Sequence, residues 1–185
     1  MKLQIVALLD ENYISCLESM QKTVCKRYKA YKCTPSLYIP MVTTLNSDVE
    51  TLNKILYKVL EPYKKFKVNV VNSLHVNLDS KLCSIGISQM GYISRLNRAI
   101  LEGLEQHNIS TENSIINNPA FDFNVPLTSC NYTLKKLSTQ GSVPFVKSQP
   151  TDSILNFTRI SKLEIWKMNG SKFDSVIKSF ELRQF

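Results

Sequence analysis

Leu37-Tyr38-Ile39-Pro40-Met41-Val42-Thr43-Thr44-Leu45 is an apolar, β-branched stretch interrupted by one proline. Phe121-Asp122-Phe123-Asn124-Val125-Pro126-Leu127-Thr128 has the same make-up in the other half of the chain, just after the turn signal Asn117-Asn118-Pro119. A proline cannot donate to a β-ladder, so each stretch predicts a strand at a sheet edge or at a bulge.

Before the first stretch, Leu3 to Leu9 reads as a buried strand feeding a helix over about 10–29, with Ile14, Leu17, Met20 and Val24 on one stripe. Lys22, Lys26, Arg27 and Lys29 gather toward its end, where cations complement the helix dipole. After it, Ser47 and Glu50 form a capping box for a second helix to about 61, ended by Pro62. Phe66 to Val71 alternates as a strand, and Leu74, Val76 and Leu78 alternate again, with His75 and Asn77 opposite, before Asp79-Ser80 turns the chain. Leu82 to Ser88 follows as a strand, and Met90 to His107 as an amphipathic helix on Ile93, Leu96, Ile100 and Leu104.

Beyond the second proline stretch, residues 138–153 are rich in Ser, Thr, Gln, Gly and Pro and predict a mobile surface loop. Thr158 to Met168 and Phe173 to Leu182 then alternate around Asn169-Gly170, a type I′ hairpin. Each half therefore offers a strand, a helix and a proline-bearing segment, an approximate internal echo.

The 185 residues are 43% hydrophobic and 21% charged, which excludes extensive disorder and predicts one folded unit over 1–185. No apolar run approaches the roughly 20 residues of a membrane span, so neither a span nor a cleaved signal is expected. A net charge of +8 favours polyanions, RNA first among them, although lysine on a solvated surface explains it equally well. The cysteines at 16, 25, 33, 83 and 130 form no C-x-x-C pair, which predicts reduced thiols and an intracellular protein, nuclear or cytoplasmic. His75 and His107 are the only histidines and lack metal-ligand spacing, so neither a metal nor another cofactor is expected.

Taken with the order of elements, the contexts around Pro40 and Pro126 resemble the 2H phosphoesterase superfamily, which includes LigT-like RNA cyclic phosphodiesterases and U6 small nuclear RNA 3′-end phosphodiesterases. The resemblance covers nearly the whole chain. It implies an α+β, two-lobed fold, with antiparallel sheets around a central groove and flanking helices. In that family each lobe supplies one H-x-[ST] tripeptide; the histidines exchange protons with attacking and leaving oxygens, and the hydroxyls hold phosphate oxygens. Aligned on those motifs, Met41 stands for the first histidine and Thr43 keeps the hydroxyl, while Asn124 and Pro126 replace both residues of the second. An alternative register puts Tyr38 and Asp122 at the histidine positions, with Pro40 and Asn124 behind them. Neither Met nor Asn exchanges protons in water, and losing such a group costs about 10²–10⁴-fold in rate. His75 and His107 fall, on the resemblance, away from both motif strands.

The resemblance thus implies a catalytically degenerate protein acting as an RNA-associated or complex-forming accessory subunit. Thr43, Thr44, Asn124 and Thr128 are its candidate phosphate ligands, Tyr38, Phe121 and Phe123 its candidate stacking rings. Lys64, Lys65, Lys67, Arg95, Arg98, Lys135 and Lys136 are its candidate counterion-releasing contacts. Two other readings stay open: an active phosphodiesterase with atypical acid–base groups such as Tyr38 and Asp122, and a protein-binding scaffold.

Overall fold

Leu3–Leu9 (β1) is buried along almost its whole length because it runs between two neighbours, Tyr38–Thr44 (β2) and Phe157–Asn169 (β6). The structure is a computed structural model and describes residues 1–31, 37–77, 81–88, 91–112, 123–138, 157–169 and 172–184. Among these lie seven strands and four helices, and all strand pairings are antiparallel.

The strand path is β2-β1-β6-β3-β4-β5, with β3 at Phe66–Asn77, β4 at Leu82–Ile87 and β5 at Asn124–Ser129; β7, Lys172–Glu181, pairs with β6 beside this path. Strand β3 divides the sheet in two. Its first residues, Phe66 to Asn69, pair with β6, and from Val70 to Asn77 it pairs with β4 instead. Strands β1, β2, β6 and β7 thus make one lobe, and β4, β5 and the far part of β3 the other. The two predicted strands of 66–78 are one bulged strand, with the register slipping between Val71 and Leu74.

Both proline-bearing strands lie at the ends of the path, the position in a sheet that tolerates a residue without an N–H. In β2 the register also slips, with Ile5 opposite Val42 but Val6 opposite Pro40, so Met41 is the extra residue of a bulge. The two ends approach each other, with β2 and β5 Cα atoms within 8 Å.

Helices α1 (Glu11–Tyr28), α2 (Val49–Leu60) and α3 (Tyr92–Gln106) bury their apolar stripes in one continuous core against one face of both lobes. The second helix is capped one residue later than expected. The Asp48 carboxylate accepts from Thr51 N at 3.0 Å, which holds its pKa below the ordinary value, whereas Ser47 is buried with its hydroxyl 2.6 Å from that of Thr44.

A short helix not anticipated from the sequence, α4 (Tyr132–Ser138), follows β5. Asn131 starts it by accepting from Leu134 N at 3.1 Å, while its amide donates to the terminal carbonyls of α1 at Tyr28 and Lys29. One side chain thus joins two helix ends. The expected turns at 79–80, 117–119 and 169–170 fall wholly or partly outside the described residues, as does nearly all of the 138–153 loop.

Where α2 and α3 cross, Gly103 lets the helices approach. A Cβ there would lie 2.9 Å from Ile55 Cγ2 and 3.5 Å from Val59 Cγ2. Gly103→Ala is expected to destabilise by about 1–3 kcal/mol despite the better helix propensity of alanine. Urea unfolding measures this, and a stabilised variant would show that the crossing has room.

Candidate functional site

Side chains on a strand alternate between faces, and directly opposite residues on neighbouring strands share one. Leu3, Ile5, Ala7, Val68, Val70, Ile85, Val125 and Leu163 belong to the helix-covered core. The intervening residues therefore occupy the helix-free face. In the first lobe these are Tyr38, Pro40 and Thr43 of β2, opposite Leu8, Val6 and Gln4 of β1, which in turn lie opposite Lys162, Glu164 and Trp166 of β6.

This part of the face is closed by packing. Trp166, 1% exposed, is flanked by Tyr38 at 4.5 Å and Phe173 at 4.7 Å between ring centroids, with Val6 and Leu8 beside them. Its indole N–H donates to Glu164 Oε2 at 2.7 Å, and the other carboxylate oxygen accepts from Ser179 Oγ at 3.2 Å and pairs with Lys162 Nζ at 3.0 Å. The buried carboxylate is fully engaged and serves this cluster as an internal acceptor. Beside it, Gln4 Nε2 reaches Thr43 Oγ1 at 3.5 Å.

Where the lobes meet, the helix-free face turns basic. Lys67 on β3 lies directly opposite Arg159 on β6, with the Lys67 ammonium 4.6 Å from the Phe157 ring centroid and Phe157 itself exposed. Further along, His75 of β3 lies opposite Ser84 of β4, which lies opposite Pro126 of β5. A Cβ on Gly86 would come within 3.2 Å of His75 Nε2, so the imidazole lies over that glycine, and Asn124 is opposite Gly86 on its other side.

The sequence-derived candidates are divided by these registers. Thr43, Asn124 and Pro126 share the helix-free face, on the two strands that approach each other. Lys67 lies on the same face but further along the strands, opposite Arg159, which is seven residues along β6 from Trp166, the residue in line with Thr43. Met41 does not join them, because the bulge turns it into the helix-side core. Burial removes Thr44 and Thr128 from the ligand set: both are fully buried, and the Thr44 hydroxyl lies 3.3 Å from Leu3 O as well as against Ser47. Tyr38 is on the right face but is packed against Trp166 rather than open for stacking. Phe123 is likewise buried, while Phe121, Asp122 and the Lys135 side chain are outside what the structure describes.

Of the remaining cations, Lys64, Lys65 and Arg95 line one pocket at the start of β3, whereas Arg98 and Lys136 are exposed on α3 and α4. His107 ends α3 with Nδ1 2.8 Å from Gly103 O. His75 is nearer the motif strands than the resemblance suggested, because β3, β4 and β5 form one sheet. Arg159 and Phe157 were missed for a similar reason: only the register of β6 against β3 brings them beside Lys67.

Among the described residues no group of three His, Cys, Asp or Glu side chains is placed to hold a metal, and no helix is long and apolar enough to cross a membrane.

An antiparallel sheet split into two lobes, helices on one face and proline-bearing strands at both ends constitute the α+β fold of the 2H phosphoesterases. Among solved structures the chain is similar to TT0787 of Thermus thermophilus, with TM-score 0.64 and 11% identity over 100% of this chain and 99% of that one. LigT of E. coli complexed with 3′-AMP gives 0.61 and 9% over 99% and 98%. Usb1 of Kluyveromyces marxianus gives 0.56 and 13% over 98% and 97%. No protein-family model and no curated protein sequence matches the chain.

Proposed function

We propose that this chain is a catalytically degenerate 2H phosphoesterase-like protein that binds RNA on its helix-free face as an accessory subunit. One observation carries the reading: neither β2 nor β5, the strands that bear the family's motifs, contains a histidine. Proton exchange with both the attacking and the leaving oxygen therefore lacks its usual pair of groups. Binding has more support than chemistry. LigT, which shares the fold, has been solved with 3′-AMP, with phosphate and with ATP. Here Lys67 and Arg159 supply positive charge on the face that also carries Thr43 and Asn124, and the Phe157 ring offers a surface for a base.

His75 favours a second reading, a slow phosphodiesterase with a single imidazole, because it shares the helix-free face with Asn124 and Pro126.

Filter binding with single-stranded and structured RNA at low and moderate salt, alongside incubation with 2′,3′-cyclic nucleotides, separates the two. The accessory reading expects salt-dependent binding weakened by Lys67→Ala and Arg159→Ala, with no product formed. Hydrolysis that His75→Ala abolishes would establish the second reading instead, and the absence of salt-dependent binding would remove the RNA-associated role.

A further inference from the structure

On the helix side of the sheet, away from the Lys67–Arg159 face, a pocket of about 330 Å³ opens where α2 gives way to β3 and α3 begins. Its volume lies at the lower end of small-ligand sites, about 300–1,000 Å³. Its lining combines three rings, Tyr63, Phe66 and Tyr92, with three cations, Lys64, Lys65 and Arg95. Phe66 is the buried centre of the ring series, 6.5 Å from Tyr63 and 5.8 Å from Tyr92 between centroids.

Tyr92 is 58% exposed, a large area of ring for a side chain with no core position to fill. The Arg95 guanidinium carbon lies 5.9 Å from its centroid, so a guanidinium and a phenol stand together at the mouth. Burial raises the pKa of the Tyr63 phenol, with Arg95 opposing and Glu102 adding to the shift, so it stays a neutral hydrogen-bonding group. Among the described residues no carboxylate pairs with Lys65 or Arg95. The backbone of Lys65 is tied down, its N–H donating to Arg183 O at 2.9 Å.

Cations alone would suit any anion, and rings alone any apolar group. Their combination in so small a volume suits a flat base joined to a phosphate. An acidic peptide would use the lysines and leave the exposed ring idle.

We infer that this pocket binds one nucleoside monophosphate unit of single-stranded RNA, with the base against Tyr92 and Arg95 and the phosphate on Lys65 and Lys64. This rests on the reading of the chain as an RNA-binding protein and adds a second contact, on the helix side, to the first.

The test is calorimetric titration with AMP and filter binding with a short oligoadenylate, each on wild type, Tyr92→Ala, Lys65→Ala and Lys67→Ala. Tyr92→Ala is expected to weaken both ligands by about 5- to 150-fold, as for the loss of one base stack. Lys65→Ala is expected to lower the salt slope for oligoadenylate by about 0.7. Lys67→Ala should weaken the oligonucleotide, to which the helix-free face also contributes. Tyr132→Ala, which removes a ring exposed elsewhere, is expected to change neither, and a thermal melt of each variant reports that it is folded.

Wild-type RNA binding that is insensitive to Tyr92→Ala and Lys65→Ala would overturn the pocket while sparing the helix-free face. Loss of all RNA and AMP binding in wild type overturns both. Binding of an acidic peptide but not AMP would reassign the pocket to a protein partner.

Discussion

Trp166→Ala is expected to destabilise the protein by about 3–5 kcal/mol, the usual range for removing a fully buried tryptophan. The side chain is 1% exposed and bridges Tyr38 of β2 to Phe173 of β7, so its removal opens a cavity between two strands that do not pair with each other. It also takes the indole donor from a buried carboxylate, leaving Glu164 with Ser179 and Lys162. Trp166→Phe separates the two effects. It keeps a ring between Tyr38 and Phe173 but loses the N–H, and a hydrogen bond to a charged group contributes about 1.5–3 kcal/mol. Urea unfolding of both variants is the measurement. A cost below about 1 kcal/mol for Trp166→Ala would mean that the cluster is a loose surface patch and that packing does not close this part of the helix-free face.

The proline-bearing stretches were legible as edge or bulge strands because proline's missing donor is a property of the residue itself. Strand β2 turned out to be both an edge and a bulge. Helix α3 was legible because its buried stripe repeats with the helical period, and the final hairpin because its two strands flank an Asn-Gly pair. Which face a residue occupies was not legible, because a single extra residue reverses the alternation. The bulge at Met41 lets Tyr38, Pro40 and Thr43 share a face, and the slip at Ser161 puts Arg159 on the same face as Lys162, Glu164 and Trp166. Strict alternation would have separated them. Thr44 and Thr128 looked like ligands for a related reason, since a threonine next to a motif reads the same whether its hydroxyl points into a cleft or into the core. The pocket at Tyr92 could not be found from sequence spacing, as Lys64 and Arg95 belong to different elements that meet only in the fold.

Met41→His tests the bulge directly, because it restores histidine at the position where the motif alignment would place it. If the alignment described the side-chain direction, the imidazole would join Thr43 on the helix-free face and cost little. The structure instead puts Met41 at 5% exposure in the helix-side core, beside Ile39 and Val42. The expected result is destabilisation by at least about 2 kcal/mol, from lost methionine packing and a buried polar ring, with no gain of cyclic-phosphate hydrolysis. The pH dependence gives a second signature. Burial disfavours the charged imidazole and lowers its folded pKa below the unfolded value of about 6.5. The unfolded state then binds the extra proton, so the variant loses further stability as the pH falls through about 6.5, and the gap from wild type should be wider at low pH than above neutrality. Asn124→His, on the half-buried helix-free side of β5, should show a smaller cost and no such widening. Equal stability of Met41→His and wild type, together with new hydrolysis, would mean that residue 41 faces the substrate side and that β2 has no bulge in solution.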